Sequence, residues 1–181
     1  DYETEAVEII ARRAEGGMRD ALSILDQALS LTQEATLTTA VSEEITGTIS
    51  LSALDHYVAA LAQKDVPGAL KNLDLIFENG KSMTRFVVDL LQYLRDILIV
   101  QAGGENTHHS DAFERNLALP QDVLFEMISL ATRSLADIKA SLQPKIYAEM
   151  MTIRLAEIDS QPELSGEVAE ELSYLREEVA R

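Results

Sequence analysis

Three features of the sequence predict an all-α protein. Apolar residues recur three and four positions apart along most of its 181 residues, the period of a helix face. The periodic runs are bounded by residues that cap or break helices: Ser, Thr and Asp before them, Gly and Pro after or at their starts. With no tryptophan and few alternations of β-branched residues, no segment reads as sheet. The expected architecture is a partial three-helix unit over residues 1–47, a five-helix bundle over 48–159, and a C-terminal helix within 160–181.

In the first unit, Thr4 is placed to cap a helix whose apolar stripe is Ala6, Val7, Ile10, Ala11 and Ala14. Gly16 and Gly17 end it, and a second helix from Met18 to about Leu31 is expected to bury Ala21, Leu22, Leu25, Ala28 and Leu29. Thr38 opens a short third helix holding Val41 and Ile45. Three helices this short make a thin core, so apolar surface at Ile9, Ile10, Leu25 and Leu29 is expected to stay partly uncovered.

In the second unit, Ser52 with Asp55 three residues later reads as a capping box for a helix using Leu54, Val58 and Leu61. Asp65 and Pro67 start the next, with Leu70, Leu73, Ile76 and Phe77 inside, and Asn79-Gly80 stops it. Ser82 opens the most apolar helix, carrying Phe86, Val87, Leu90, Leu91, Leu94, Ile97 and Leu98 up to Gly103-Gly104; a helix this apolar is expected to expose a patch as well as fill the core. After a polar stretch with a short turn around Ala112 to Asn116, Pro120 and Pro144 start the last two bundle helices. Short loops between them predict antiparallel packing. Beyond Gln161-Pro162, Ser165 can cap a final helix with Val168, Leu172, Leu175 and Val179 in a/d-like order.

Charge and composition narrow the functions. Thirty-one acidic against fifteen basic residues give a formal net charge of −16, and no basic cluster offsets it, so direct nucleic-acid binding is not expected. Absence of cysteine removes disulfides and thiolate metal sites. No apolar run reaches membrane-spanning length and no secretory signal opens the chain, which makes a cytoplasmic location the expectation. His108, His109 and Asp111 superficially suggest a metal site, but adjacent loop residues seldom aim two rings at one ion, so His108 and His109 are read as solvated, with His56 isolated elsewhere. Paired acids such as Glu43-Glu44 and Glu170-Glu171 are read as polar helix faces. No catalytic constellation and no resident metal is expected.

The most informative segment is Ala14 to Gln27, AEGGMRDALSILDQ. A diglycine separates two amphipathic helices, and Arg19 sits in the first turn of the second. The helix dipole disfavours a cation at that end, so an arginine there invites an anion. This run, continuous from Ala11 to Leu29, resembles the sensor-2 segment in the lid of bacterial clamp-loader ATPases, the gamma/tau subunit family of DNA polymerase III. The resemblance implies that Arg19, in the GxxRDALS run, reaches the γ-phosphate of ATP, that residues 1–47 are part of an AAA+ lid, and that residues 48–159 are the collar through which subunits assemble in a ring. It also implies ATP and Mg as cofactors of the intact protein. Further copies of gamma/tau and the delta and delta-prime subunits are the implied partners, with polymerase and helicase through the tau form.

No GxxxxGK[ST] phosphate loop occurs in the 181 residues, so this chain alone is expected neither to hydrolyse ATP nor to bind it tightly. Together with the abrupt start at Asp1, this reads as the C-terminal part of a longer ATPase subunit of the polymerase holoenzyme. The alternatives are an acidic helical adaptor unrelated to ATP, or the lid and oligomerisation domain of another AAA+ ATPase.

Overall fold

The computed structural model describes residues 1–32, 36–106, 108 and 110–159. Among them the chain is all-α, with a single β-bridge between Tyr2 and Leu37. The expected helix at 165–179 lies outside the described residues.

The first three helices are α1 (Thr4–Arg13), α2 (Met18–Leu31) and α3 (Thr39–Thr46). They share a small core of Ala6, Ile10, Ala28 and Leu37, with Ile24, Leu25, Val41 and Ile45 against it. The cap of α1 differs from expectation: Glu3, not Thr4, occupies the N-cap position, and its carboxylate turns away to accept a hydrogen bond from the Thr39 N–H at 2.6 Å. That bond holds the Glu3 carboxyl below its ordinary value. Glu3 therefore caps α3 together with Thr38, whose hydroxyl accepts from the Val41 N–H. The expected stripe of α1 is rotated, since Ile9 is buried while Val7 and Ala11 are exposed. Likewise α2 buries only Ala28, leaving Met18, Leu22, Leu29 and Leu31 exposed. Uncovered apolar surface thus exists as expected at Leu29 and not at Ile9 or Ile10.

The bundle consists of α4 (Leu51–Ala62), α5 (Val66–Glu78), α6 (Met83–Gln101), the short α7 (Asp111–Asn116), α8 (Gln121–Ala140) and α9 (Pro144–Ala156). Caps set most boundaries: the Asp65 carboxylate accepts from Gly68, and the Ser82 and Ser110 hydroxyls accept from Arg85 and Phe113. In α4 the cap is Ser50, which accepts from Ala53, so the expected Ser52–Asp55 capping box does not form and Asp55 is buried instead. Phe86, Leu90, Leu94 and Ile97 make α6 the central helix, meeting Tyr57 and Val58 of α4, Leu73 of α5 and Leu124 and Met127 of α8 in one core. Little of α6 is left to form the expected apolar patch: Ile99 is its only large hydrophobic residue that is well exposed. The outward apolar surface of the bundle lies on α5 and α9.

Candidate functional site

The elbow between α1 and α2 presents Arg19. Helix α1 ends at Ala14, after which Glu15 and Gly16 take positive φ values of 49° and 86°. Gly16 is required there because a side chain is strained in that region of backbone space. Gly17 then returns to extended geometry as the N-cap of α2, and a Cβ on it would lie 2.8 Å from Asp20 Oδ2 and 3.1 Å from the Ala14 carbonyl. The diglycine thus meets two separate demands, a reversal and a close approach. It also leaves α2 without a side-chain cap at Gly17.

Arg19 is the second residue of α2 and is exposed, with no ion pair among the described residues. Asp20 folds back over the N-terminus and supplies the negative charge that the dipole favours. An exposed guanidinium, beside backbone N–H groups that no intrahelical carbonyl can satisfy, can receive a phosphate or carboxylate presented from another surface. Neither a nucleophile nor a base stands beside it, so the elbow can recognise an anion without transforming it.

A cleft separates the first three helices from the bundle, lined among others by Glu5, Ile9, Arg12, Arg85, Asp89 and His108. At its floor the buried Asp89 accepts a hydrogen bond from the Ile49 N–H at 2.9 Å and pairs with Arg85 at 2.7 Å. Burial drives the Asp89 carboxyl above its ordinary value despite these two contacts. Lys81 adds a second tie across the cleft by donating to the Glu43 carbonyl at 2.9 Å. Glu43 itself is half-buried and raised, first by burial and then by Glu5, with Lys81 opposing; it is not the wholly solvated face that the sequence suggested.

Polar groups inside the bundle escaped the sequence reading. Tyr93 donates to Asp55 Oδ1 at 2.5 Å and accepts from Asn116 Nδ2 at 2.7 Å, while Ser110 donates to Asp55 Oδ2 at 2.8 Å. Burial, then the bond to Asp55, pushes the Tyr93 phenol far up, so it stays neutral. His108 corrects a further expectation: its side chain is mostly buried, bonds to Asp96 at 2.8 Å and packs on Phe113 at 4.5 Å between ring centroids. His56 is exposed, and His109 lies outside the described residues. Among the described residues no three His, Cys, Asp or Glu side chains converge as metal ligands, and no helix is long and apolar enough to cross a membrane.

Comparison with known proteins places both halves of the chain. Residues 1–34, which include the Arg19 elbow, match the model of the DNA polymerase III clamp loader subunit, ATPase lid domain. Residues 37–170 match that of DNA polymerase III subunits gamma and tau domain III. The chain belongs to the gamma/tau family of clamp-loader subunits. Over 99% of its length it is 30% identical to DNA polymerase III subunit tau of Bacillus subtilis, of which it covers 34%. Over 81% it is 27% identical to DNA polymerase III subunit gamma/tau of Mycobacterium bovis, covering 27% of that protein. A weaker similarity, 24% over 79% of the chain, links it to protein STICHEL-like 3 of Arabidopsis thaliana, of which it covers 13%. It thus spans about a third or less of the gamma/tau relatives named here, and membership of this family sets aside an unrelated acidic adaptor.

Proposed function

We propose that this gamma/tau chain couples ATP binding to the loading of a sliding clamp on DNA, with Arg19 as the sensor of the γ-phosphate. The supporting observation is the elbow itself: an exposed, ion-pair-free arginine at an uncapped helix start, held by two glycines, within the segment that matches the clamp-loader lid. ATP and Mg are then cofactors of the complete subunit, bound through a phosphate loop that these 181 residues do not contain. Arg19 adds one charge-assisted contact, which stabilises a bound nucleotide by a few kcal/mol and cannot retain one alone.

In this reading residues 1–47 form the lid portion, residues 48–159 the collar that joins subunits, and residues 160–181 the start of a linker or a C-terminal helix. The two separate cores and the Asp89–Ile49 contact beside the junction support that division. Partners are further gamma/tau copies with the delta and delta-prime subunits, and polymerase and helicase through a tau form. The surface charge of −16 argues against direct contact with DNA by this part and for a location in the cytoplasm beside the replication machinery.

Arg19→Ala in the complete subunit tests the assignment. ATP-dependent clamp loading should fall at least tenfold while stability changes by less than about 1 kcal/mol, as for other exposed sites. Normal loading by this variant removes Arg19 from the mechanism.

A further inference from the structure

We infer that residues 165–179 fold back as an amphipathic helix on the outward face of α9 and close the bundle as its last layer. The face is unusual for a surface helix. While α9 buries Ala148, Met151, Thr152 and Leu155 on one side, Ile146, Met150 and Ile153 remain 47%, 47% and 39% exposed on the other. Leu142, just before α9, is fully exposed on the same line. A helix apolar on both sides is one that expects cover on both sides.

The occupant is identified by where the chain goes next. Ile158 packs against the bundle core and Asp159 pairs with Lys64 in the turn between α4 and α5, so the backbone leaves α9 at one end of the open face. Pro162 then permits a reversal, and Ser165 offers a helix cap. A helix over 165–179 would be about 22 Å long, close to the roughly 20 Å of α9, and the connection is short enough for an antiparallel pair.

The apolar spacing agrees with that course. Run antiparallel to α9, Val168 falls opposite Ile153, Leu172 opposite Met150, Leu175 opposite Ile146 and Val179 opposite Leu142, so all four pairs meet in a single register. Charge adds to the match. Eight acidic and two basic residues lie between Glu157 and Arg181, and Lys145 and Arg154 border the stripe on α9, with Glu149 the one acid beside it. The match to domain III also continues to residue 170, past the end of α9 at Ala156. A second copy of the chain is the competing occupant of this face.

Cysteine cross-linking in the 181-residue chain separates them, since the sequence contains no cysteine. Met150→Cys combined with Leu172→Cys should close an intramolecular disulfide under mild oxidation, at least tenfold faster than Phe125→Cys, exposed on α8, combined with Leu172→Cys. The product should run as a monomer on a non-reducing gel. Cross-linked dimers from Met150→Cys alone, forming as fast, would show a second copy on the face and overturn the inference. Equal slow rates for both pairs would overturn it as well. Met150 is exposed among the described residues, so its replacement leaves the core intact; unchanged helical circular dichroism checks this. In a further arm, Leu172→Asp with Leu175→Asp should raise amide exchange across Ile146 to Ile153 by tenfold or more, and unchanged exchange there counts against docking.

Discussion

Asp89 of α6 accepts the Ile49 N–H at 2.9 Å, so a carboxylate from the central helix of the bundle fixes the chain where α3 hands over to α4. The contact is buried, and Arg85, one turn earlier on α6, supplies the countercharge. Any motion of the first three helices relative to the bundle has to work against this contact and the Lys81–Glu43 tie.

Asp89→Ala removes the acceptor and leaves both the Ile49 N–H and a largely buried guanidinium without a partner. A loss of about 2–4 kcal/mol in urea unfolding is expected. Asp89→Asn keeps an acceptor for Ile49 and should cost less. A change below about 0.5 kcal/mol for the alanine variant would mean that water replaces the contact and the junction is not fixed there.

Tyr93→Phe deletes one hydroxyl that serves both Asp55 and Asn116, so it should cost about 1–3 kcal/mol although ring packing is preserved. The Tyr57–Thr152 pair behaves differently. Thr152 donates to the Ala148 carbonyl and thus accepts from Tyr57 at 2.7 Å, with no third side chain in the contact. Tyr57→Phe combined with Thr152→Val should therefore cost less than the two single changes summed, as a double-mutant cycle measures.

Helix existence was readable in the sequence because caps and breakers act locally. Thr38, Asp65, Ser82 and Pro144 mark helix starts that recur in the structure, and Gly47 ends α3 in the left-handed conformation that glycine favours. What each helix buries was less legible. An apolar stripe on α2 says that a face wants cover, while the structure leaves Leu22 and Leu29 open because α1 and α3 reach only its Ala28 side. Polar burial left no periodic signal at all. Asp55 looked like half of a capping box because its distant partners Tyr93, Ser110 and Asn116 are 38 to 61 residues away in sequence. The Arg19 elbow was legible because the diglycine, the helix start and the arginine are contiguous, so no long-range contact had to be guessed.

The contrast between the two faces near the lid elbow is measurable. Ile10→Ala, in the small core with Ala6, Ala28 and Leu37, should destabilise those three helices by about 2–5 kcal/mol. Leu22→Ser, on the open side of α2, should stay within about 0.5 kcal/mol. Thermal unfolding of each variant checks the pair, and similar losses in both would place Leu22 in a covered interface.

The pairing of Asp96 with His108 sets a pH dependence with a definite sign. Burial pushes the Asp96 carboxyl up, but the hydrogen bonds from His108 and Arg95, with the charge of Arg95 and then His108, outweigh it and hold it below the ordinary 3.8. Against an ionised carboxylate His108 Nε2 must donate, which a neutral ring with its proton on Nε2 and a charged ring both do. An acid whose value is lower in the folded chain than in the unfolded one contributes stability above the unfolded value, and that contribution disappears as pH falls through the folded value. Relative to Asp96→Asn, the wild-type advantage should therefore be constant from about pH 6 down to about pH 5 and shrink progressively below that. The same trend should vanish in His108→Ala if His108 is the main donor, and survive in part if Arg95 carries it. Urea midpoints for the three proteins between pH 3 and pH 6 give the answer. An advantage that grows as the solution is acidified would contradict the assigned direction, and would mean that the burial of Asp96 between α6 and the loop holding His108 outweighs its two donors.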